Sequence, residues 1–416
     1  MEKSVVSFGC RLNTYESEVI RDMIQDVEGD VVVFNTCAVT SEAERQARQA
    51  IRKMRKENPD IKIIVTGCSA QTSPKVYENM DEVDLVLGNE EKLKKQFYSF
   101  EEKIKVRVND IMSVKETSLH FVSGFDEKSR AFLEIQMGCN HRCTFCIIPF
   151  GRGNSRSVPL GEIVDVSRKF VAQGYNEIVL TGVDLTSYGE DLPGTPTLGQ
   201  MLKRYLALVP DLKRLRLSSL DPAEVDDDIL YLIKTEPRLM PHFHISLQAG
   251  DDLILKRMKR RHLRADVIEF CQKVRDLRPD ATFGADIIAG FPTETDEAFE
   301  NTVRLVKECN ITYLHIFPYS PRPGTPAARM PQVKKETIKE RAKILRNLGE
   351  KQLDAFLGTQ IGQESIVLVE RGQKGHTEHY APVCLENISQ DINVGSLIKM
   401  RFQDVKHGKL LGLIVD

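Results

Sequence analysis

The stretch MGCNHRCTFCIIPFGRGNSRS (137–157) carries three cysteines, Cys139, Cys143 and Cys146, in a Cys-x3-Cys-x2-Cys spacing. It begins where an apolar strand candidate, 131–136, ends. Three soft sulfur ligands on one short loop suit an iron–sulfur cluster or zinc. Three ligands rather than four leave one metal position open for something else. Structural zinc wants a fourth protein ligand. His141 is the nearest candidate, but it lies between the cysteines, where the geometry is awkward. Working outward, five more strand candidates follow at 177–181, 214–217, 242–247, 283–288 and 313–317, separated by helical patterns such as 160–173 and 297–308. Six strand–helix units between about 125 and 350 predict a partial (β/α) barrel, whose sites sit at the C-terminal ends of its strands. A Pro-rich loop, 318–331, and a long charged helix, 334–356, leave the last strand.

Upstream, in residues 1–110, the short apolar runs 5–8, 31–34, 61–65 and 85–87 alternate with helical segments at 14–25, 41–57 and 73–79. That alternation predicts an N-terminal α/β domain with a buried parallel sheet. Cys10, Cys37 and Cys68 each follow a strand end. Ligands bind at the carboxyl edge of such sheets, so the three can meet although about thirty residues separate neighbours. The alternative is three buried structural cysteines. A linker of mixed polarity spans 101–128. Downstream, 353–416 changes character: short strands at 365–370, 376–383, 396–401 and 409–415 predict a small antiparallel β-barrel of the kind that often binds nucleic acid. This tail holds six Lys/Arg against eight Asp/Glu, so it is not a basic coat.

The chain has 416 residues, a net charge of −2 and 28% charged residues, which excludes a disordered, collagen-like or generally basic nucleic-acid-coating protein. No apolar run reaches the roughly 18 residues of a membrane span, and the first ten residues hold no apolar run long enough for a signal peptide. A cytoplasmic protein is expected, and its nine cysteines then point to metal or catalysis rather than disulfides. Cys271, Cys309 and Cys384, like His120 and His315, stand alone and are expected to be structural.

The 137–157 stretch resembles the radical S-adenosylmethionine (SAM) enzymes. With the segments FGCRLNTYESE (8–18), FNTCAVTSEAERQARQAIRK (34–53) and TGCSAQ (66–71), and a C-terminal region resembling a TRAM domain, the chain is similar to the methylthiotransferases over its whole length. The resemblance implies two [4Fe–4S] clusters: a SAM-cleaving one on Cys139, Cys143 and Cys146, and an auxiliary, sulfur-carrying one on Cys10, Cys37 and Cys68. It implies SAM as radical source and a second SAM as methyl donor. Three branches act respectively on isopentenyladenosine in tRNA, on N6-threonylcarbamoyladenosine beside the tRNA anticodon, and on a ribosomal-protein aspartate. GCRLNTYESE (9–18), IIPFGRGNSRS (147–157) and GHTEHYAPV (375–383) look most like the threonylcarbamoyladenosine branch. The implied partners are the anticodon stem-loop and an electron donor such as flavodoxin or ferredoxin, with no membrane, for a monomeric enzyme. A zinc-containing RNA-binding protein is the non-enzyme alternative, and a radical SAM enzyme with another product is a third.

Several strand ends resemble the superfamily's SAM pocket: TGVD (181–184), Ser218 and Ser219, SLQAG (246–250) and DIIAGFP (286–292). Asp184, Ser219 and Gln248 are the expected SAM contacts, together with Arg156, which like Arg152 follows the cysteine loop. Glu177 opens its strand and is not expected to reach SAM. Two basic features are expected to meet RNA. Arg45, Arg48, Arg52 and Arg55 share one helix face. KRMKRRHLR (256–264), which includes Lys259, Arg260 and Arg261, has six basic residues in nine. A solvated face is the alternative for both.

Overall fold

In the computed structural model the described residues are 3–100, 104–115, 117, 129–385 and 392–415. Most of the 101–128 linker and His120 lie outside them. The N-terminal sheet is built from β1 (Lys3–Ser7), β2 (Val31–Thr36), β3 (Lys62–Gly67), β4 (Leu85–Leu87) and β5 (Val106–Arg107), hydrogen-bonded in that order and all parallel. Its strands are buried because both faces are covered. Val31, Val33, Ile64, Leu85 and Leu87 pack on α1 (Arg11–Met23) through Ile20 and the following Ile24. Val32, Phe34, Ile63, Val65 and Val86 face Ile51 of α2 (Ser41–Glu57). The strand pairing sets Ser7 beside Asn35 and Thr36 beside Gly67, so the three cysteines that follow leave one sheet edge. A short helix absent from the sequence reading, α3 (Cys68–Thr72), starts at Cys68 itself, ahead of α4 (Pro74–Glu78).

The central region is a partial parallel barrel. β6 (Ala131–Met137) pairs with β8 (Glu177–Gly182), which pairs with β9 (Arg214–Leu217). β10 (His242–Gln248), β11 (Thr282–Ala289) and β12 (Tyr313–Pro318) form the other half. Parallel bridges Leu215–Leu239 and Leu220–Ile245 join the halves. All six strand candidates of the sequence recur with bounds shifted by at most one residue. A two-residue antiparallel edge, β7 (Arg156–Ser157), returns the cysteine loop to β6. The barrel alternates as period-two strands must. Phe243, Ile245, Leu247, Phe283, Ala285 and Ile287 join the core shared with the surrounding helices. The intervening His242, His244, Ser246, Gly284 and Asp286 therefore face the interior.

The last strands, β13 (Glu364–Glu370), β14 (Lys374–His376), β15 (Pro382–Cys384), β16 (Leu397–Lys406) and β17 (Lys409–Ile414), close into a small barrel. Two expectations change here. The strand expected over 376–383 is two strands with a turn between them, where Ala381 N donates to the Thr377 hydroxyl and Tyr380 takes a positive φ of 67°. The barrel is also not wholly antiparallel, since β15 and β17 pair in parallel.

This small barrel plugs the N-terminal floor of the central one. Arg216 donates to the carbonyls of Thr377 (2.9 Å) and Glu378 (2.9 Å), Arg214 to Ile366 O (2.6 Å), and Tyr313 to His379 O (2.9 Å). Glu177 sits beneath, with Arg130 Nε at 2.7 Å, Arg216 Nε at 3.0 Å and an Arg214 amino group at 3.8 Å. The GHTEHYAPV segment is thus largely an interdomain plug, and Glu177 a floor residue far along its strand from the cysteines. No helix among the described residues is long and apolar enough to cross a membrane.

Candidate functional site

The two cysteine sets face one another where the N-terminal sheet edge meets the central barrel rim. Cys10 N-caps α1, Cys37 follows β2 and Cys68 opens α3. The approach is close enough to need glycine. A Cβ on Gly9 would stand 2.8 Å from Cys37 Cβ, and one on Gly67, at φ +95°, 2.3 Å from Thr36 O. On the barrel side, the loop carrying Cys139, Cys143 and Cys146 is pinned at both ends. Cys139 N donates to Gly153 O (3.1 Å), and Thr144 is tied to Met258 O, Arg257 O and Ala327 N.

All six cysteines are free thiols. Burial raises the Cys37 and Cys146 thiols to about 12, with Cys68 adding to both shifts. Burial also raises Cys10, which nevertheless keeps exposed surface. The two sets share one seam: a Cβ on Gly151, five residues past Cys146, would stand 3.4 Å from Cys68 Cβ.

Each set receives one arginine. Arg152 Nε donates to Cys68 Sγ (3.1 Å), and Arg260 approaches Cys143 Sγ (3.6 Å). Arg152 crosses from the barrel into the N-terminal unit, where it pairs with Glu16 (2.5 and 2.9 Å) and Asn13 (2.6 Å). Glu16 also meets the buried Lys92 (2.7 Å). Burial opposes ionisation of Glu16, but Arg152 and Lys92 hold its carboxyl below its ordinary value. Asn89 donates to Gly151 O (2.5 Å) and approaches Cys68 Sγ (3.9 Å), which stitches the same seam.

Asp184 lies beside the barrel set as expected. Its carboxylate is 3.5 Å from Cys139 Sγ, 3.1 Å from His141 Nε2 and 3.2 Å from Arg261, and accepts from Ser187 Oγ (2.9 Å). Against the cost of burial, His141 and Arg261 hold it well below the usual carboxylate range. The His141 imidazole is turned to Asp184 and Glu224, not to the cysteines, which removes it as the awkward fourth zinc ligand. Gln136 orients the strand end by accepting from Asp184 N (2.8 Å) and donating to Gly138 O (2.8 Å). Gln248 ends β10 in the left-handed region, φ +65°. Ser219 is half-buried, while its neighbour Ser218 is the one whose hydroxyl accepts from Gly182 N (3.3 Å).

Other expected residues stand elsewhere. Arg156 is buried and spends its guanidinium on the carbonyls of Arg152 (3.1 Å), Asn154 (3.1 Å) and Val114 (3.5 Å), so it braces the loop rather than facing a ligand. The basic run 256–264 is mostly folded inward. Arg260 and Arg261 converge on Asp221 (2.8 and 3.1 Å), Arg257 on Thr293, and Arg264 on Glu308 (2.5 Å). Only Lys256 and Lys259 remain exposed. On α2, Arg45 is exposed but paired with Glu42 (2.6 Å), Arg52 is exposed near Glu82 (3.7 Å) and Arg48 is half-buried. Arg55 caps the end of α2 through Pro59, Ile61 and Glu82 carbonyls and Asp84. Cys271 and Cys309 are buried neighbours in the core.

Sequence reasoning missed Asp221, Glu16, Lys92, Asn89 and Gln136. Each has at least one partner tens to more than a hundred residues away, so no spacing signal marks them.

A Radical SAM superfamily model matches residues 133–306, and a model described as "Uncharacterized protein family UPF0004" matches residues 3–88. The threonylcarbamoyladenosine tRNA methylthiotransferase MtaB of Rickettsia prowazekii is 58% identical over 417 residues, covering 100% of this chain and 98% of that protein. The protein of the same name from Aquifex aeolicus is 35% identical, covering 96% of this chain and 100% of its own. Among solved structures, a radical S-adenosylmethionine methyltransferase, TsrM, from Kitasatospora setae matches at a TM-score of 0.58 and 15% identity, over 79% of this chain and 77% of that one, a likeness of fold alone. With a full-length relative at 58% identity, a central barrel matched by the superfamily model, and both cysteine sets gathered at its rim, this chain belongs to the family of threonylcarbamoyladenosine tRNA methylthiotransferases, within the radical SAM superfamily.

Proposed function

We propose that this chain is the tRNA methylthiotransferase that adds a methylthio group at C2 of N6-threonylcarbamoyladenosine beside the anticodon. It works as a cytoplasmic monomer fed by a flavodoxin- or ferredoxin-type electron donor. The observation that carries this reading is the pair of three-thiol sets facing each other across one seam, each with an arginine on a sulfur.

The donor sets fit two [4Fe–4S] clusters: three thiols each, free of disulfides, with the nearest imidazole engaged elsewhere. When bound, the clusters and SAM supply radical abstraction at an unactivated aromatic carbon and delivery of a methylated sulfur, chemistry no side chain provides. Cys139, Cys143 and Cys146 hold the SAM-cleaving cluster, and Cys10, Cys37 and Cys68 the sulfur-delivering one. Asp184, beside Cys139 and kept ionised, receives the amino group of SAM in this reading, with Gln248 and Ser219 on neighbouring strand ends. Arg152 donates to Cys68 Sγ and locks the two units so that the sets stay opposed. Burial of the seam keeps water from the reacting centre.

Iron and sulfide per chain after anaerobic reconstitution test this directly. About eight iron in the wild type and about four in a Cys139/Cys143/Cys146→Ala variant are expected. About four falling to none would remove the second cluster and with it methylthio transfer. Mass spectrometry of nucleosides from tRNA treated with the wild type then identifies the product.

A further inference from the structure

The Pro-rich loop 318–331 reaches both cysteine sets. Its first half meets the N-terminal unit just past Cys37. The buried Arg322 donates to Ala38 O (2.9 Å) and pairs with Glu44 (3.0 Å). Beside it, Ser41 N donates to Ser320 Oγ (3.2 Å), and the Ser320 hydroxyl donates to that of Ser41 (3.1 Å). Glu44 carries the contact onward: its other carboxylate oxygen accepts from Ser69 Oγ (3.2 Å), next to Cys68. One arginine of the central region thus rests against the neighbours of two cysteines of the N-terminal set.

The second half of the loop holds the other set. Ala327 N donates to Thr144 O (2.9 Å), between Cys143 and Cys146. Tyr319, Ala327 and Met330 share one apolar cluster with Phe145, the residue before Cys146. Only four residues separate Arg322 from Ala327, and two of them are proline. Proline fixes φ and so removes slack from the chain. Thr325 closes the span into a turn, donating its N (3.1 Å) and its Oγ1 (2.7 Å) to Arg322 O. The span is a short, stiff link between the two sets.

We infer that this loop is a strap that sets how the two cysteine sets face each other, and that Arg322 is the positioning residue that seats it beside Cys37 and Cys68. The inference rests on the function proposed above. Arg152 already ties the units through Asn13, Glu16 and Cys68. A single tie leaves a pivot. A second tie on another segment, at Ala38 and Glu44, fixes the angle about it. Methylthio transfer draws on both sets at one substrate carbon, so the reacting atoms must meet within about 3–3.5 Å. A misplacement of about 1 Å can cost about a hundred-fold in rate. Among the described residues Arg322 hydrogen-bonds no cysteine sulfur, so its loss should leave both donor sets whole and spoil their alignment.

The test uses the full chain, reconstituted and supplied with tRNA carrying threonylcarbamoyladenosine. Thiomethyl product is counted per 5′-deoxyadenosine released, a ratio that loss of folded protein does not move. Arg322→Gln is expected to keep about eight iron per chain and to lower the ratio by about ten-fold or more. Arg322→Lys, which keeps the charge and loses the fork, should recover part of it. A second readout needs no turnover. In the cluster-free chain, Arg322→Gln should speed amide hydrogen exchange at 38–44 by about ten-fold and leave 12–20, the segment that Arg152 holds, at its wild-type rate. A wild-type ratio at full iron overturns the inference. So does a lowered ratio with unchanged exchange at 38–44, and so does exchange that rises equally at 12–20, which would make Arg322 a residue of the whole fold. Should Arg322→Gln lose iron, Arg322→Lys at full iron decides: a lowered ratio supports the strap and a wild-type ratio overturns it. A wild type that makes no thiomethyl product ends the substrate reading instead. The strap is then judged by exchange alone, supported by a rise confined to 38–44 and overturned without one.

Discussion

The two ends of the central barrel are built from the same buried arginines and carboxylates and put them to opposite uses. At the floor, one carboxylate, Glu177, meets three arginines, and those arginines run on to backbone carbonyls of the small barrel. Against burial, Arg216, Arg130 and Arg214 keep Glu177 ionised. The floor contacts stand at ion-pair distance without full hydrogen-bond alignment, so charge rather than geometry holds them. At the rim, carboxylates share their arginines with sulfur: Arg152 divides itself between Glu16 and Cys68, and Arg260 between Asp221 and Cys143. A closed ion cluster makes a joint. An ion cluster opened onto thiols makes a site.

The sharpest way to break this contrast is at Arg152. Arg152→Gln leaves Cys68 without its cationic donor and Glu16 with Lys92 as its remaining cation. We expect iron to fall from about eight toward about four per chain. Thiomethyl product should fall to background while 5′-deoxyadenosine release from SAM persists. Arg152→Lys should be intermediate, since it keeps the charge and loses the fork. Unchanged iron and product would mean Arg152 is a joint like those of the floor. The mirror experiment is Glu177→Gln, which leaves three buried arginines facing one another. It should cost about 3–5 kcal/mol, seen as a lower thermal midpoint and earlier proteolytic release of the small barrel. Iron per chain and SAM cleavage per iron should stay at wild-type values. A loss of iron there would mean that floor and rim are not separable.

Glu134 lies between the two ends, on the interior face of β6. Burial, with the Glu16 carboxylate nearby, pushes its carboxyl up to about 8. The folded chain then holds a proton that the unfolded chain releases near the ordinary value of 4.5. Stability should therefore fall as pH rises from about 4.5 to 8 and stay level above. Glu134→Gln removes that dependence. Its advantage over wild type should grow through the same window, to on the order of 2 kcal/mol at pH 8 after discounting the coupling to Glu16. Denaturant midpoints at pH 5 and pH 8 read it. Equal slopes for both proteins would mean that Glu134 is ionised at neutral pH.

What the sequence displayed was periodicity and spacing. The six barrel strands, α2, the strand-end position of Cys10, Cys37 and Cys68 and the start of the Cys139–Cys146 loop at a strand end follow from alternation and apolar runs. The turn inside 376–383 was hidden because Thr377 and Tyr380 make it without Gly or Pro. The ion clusters were hidden for another reason. Glu16 and Arg152 are 136 positions apart, and Arg260 and Asp221 are 39 apart, so composition alone reads each as surface charge. The family resemblance named the cysteines' partners. It did not show that Arg156 would be spent on carbonyls.

The basic run 256–264 shows how that error works and supplies the smallest effect. Read as composition, six cations in nine residues form an RNA stripe. Read in the fold, Arg257, Arg260, Arg261 and Arg264 are internal partners, and Lys256 and Lys259 alone point to solvent. Removing both lysines (Lys256→Ala with Lys259→Gln) should lower tRNA affinity by no more than about ten-fold and reduce the salt slope by about one unit per phosphate contact. Iron content and thermal stability should not move. Arg260→Gln should do the opposite, lowering iron and SAM cleavage while leaving the salt slope of tRNA binding unchanged, because its charge faces Asp221 and Cys143 rather than phosphate. If Arg260→Gln instead flattens the salt slope, the rim arginines swing out to meet the nucleic acid, and the division between site and surface drawn from their pairing fails.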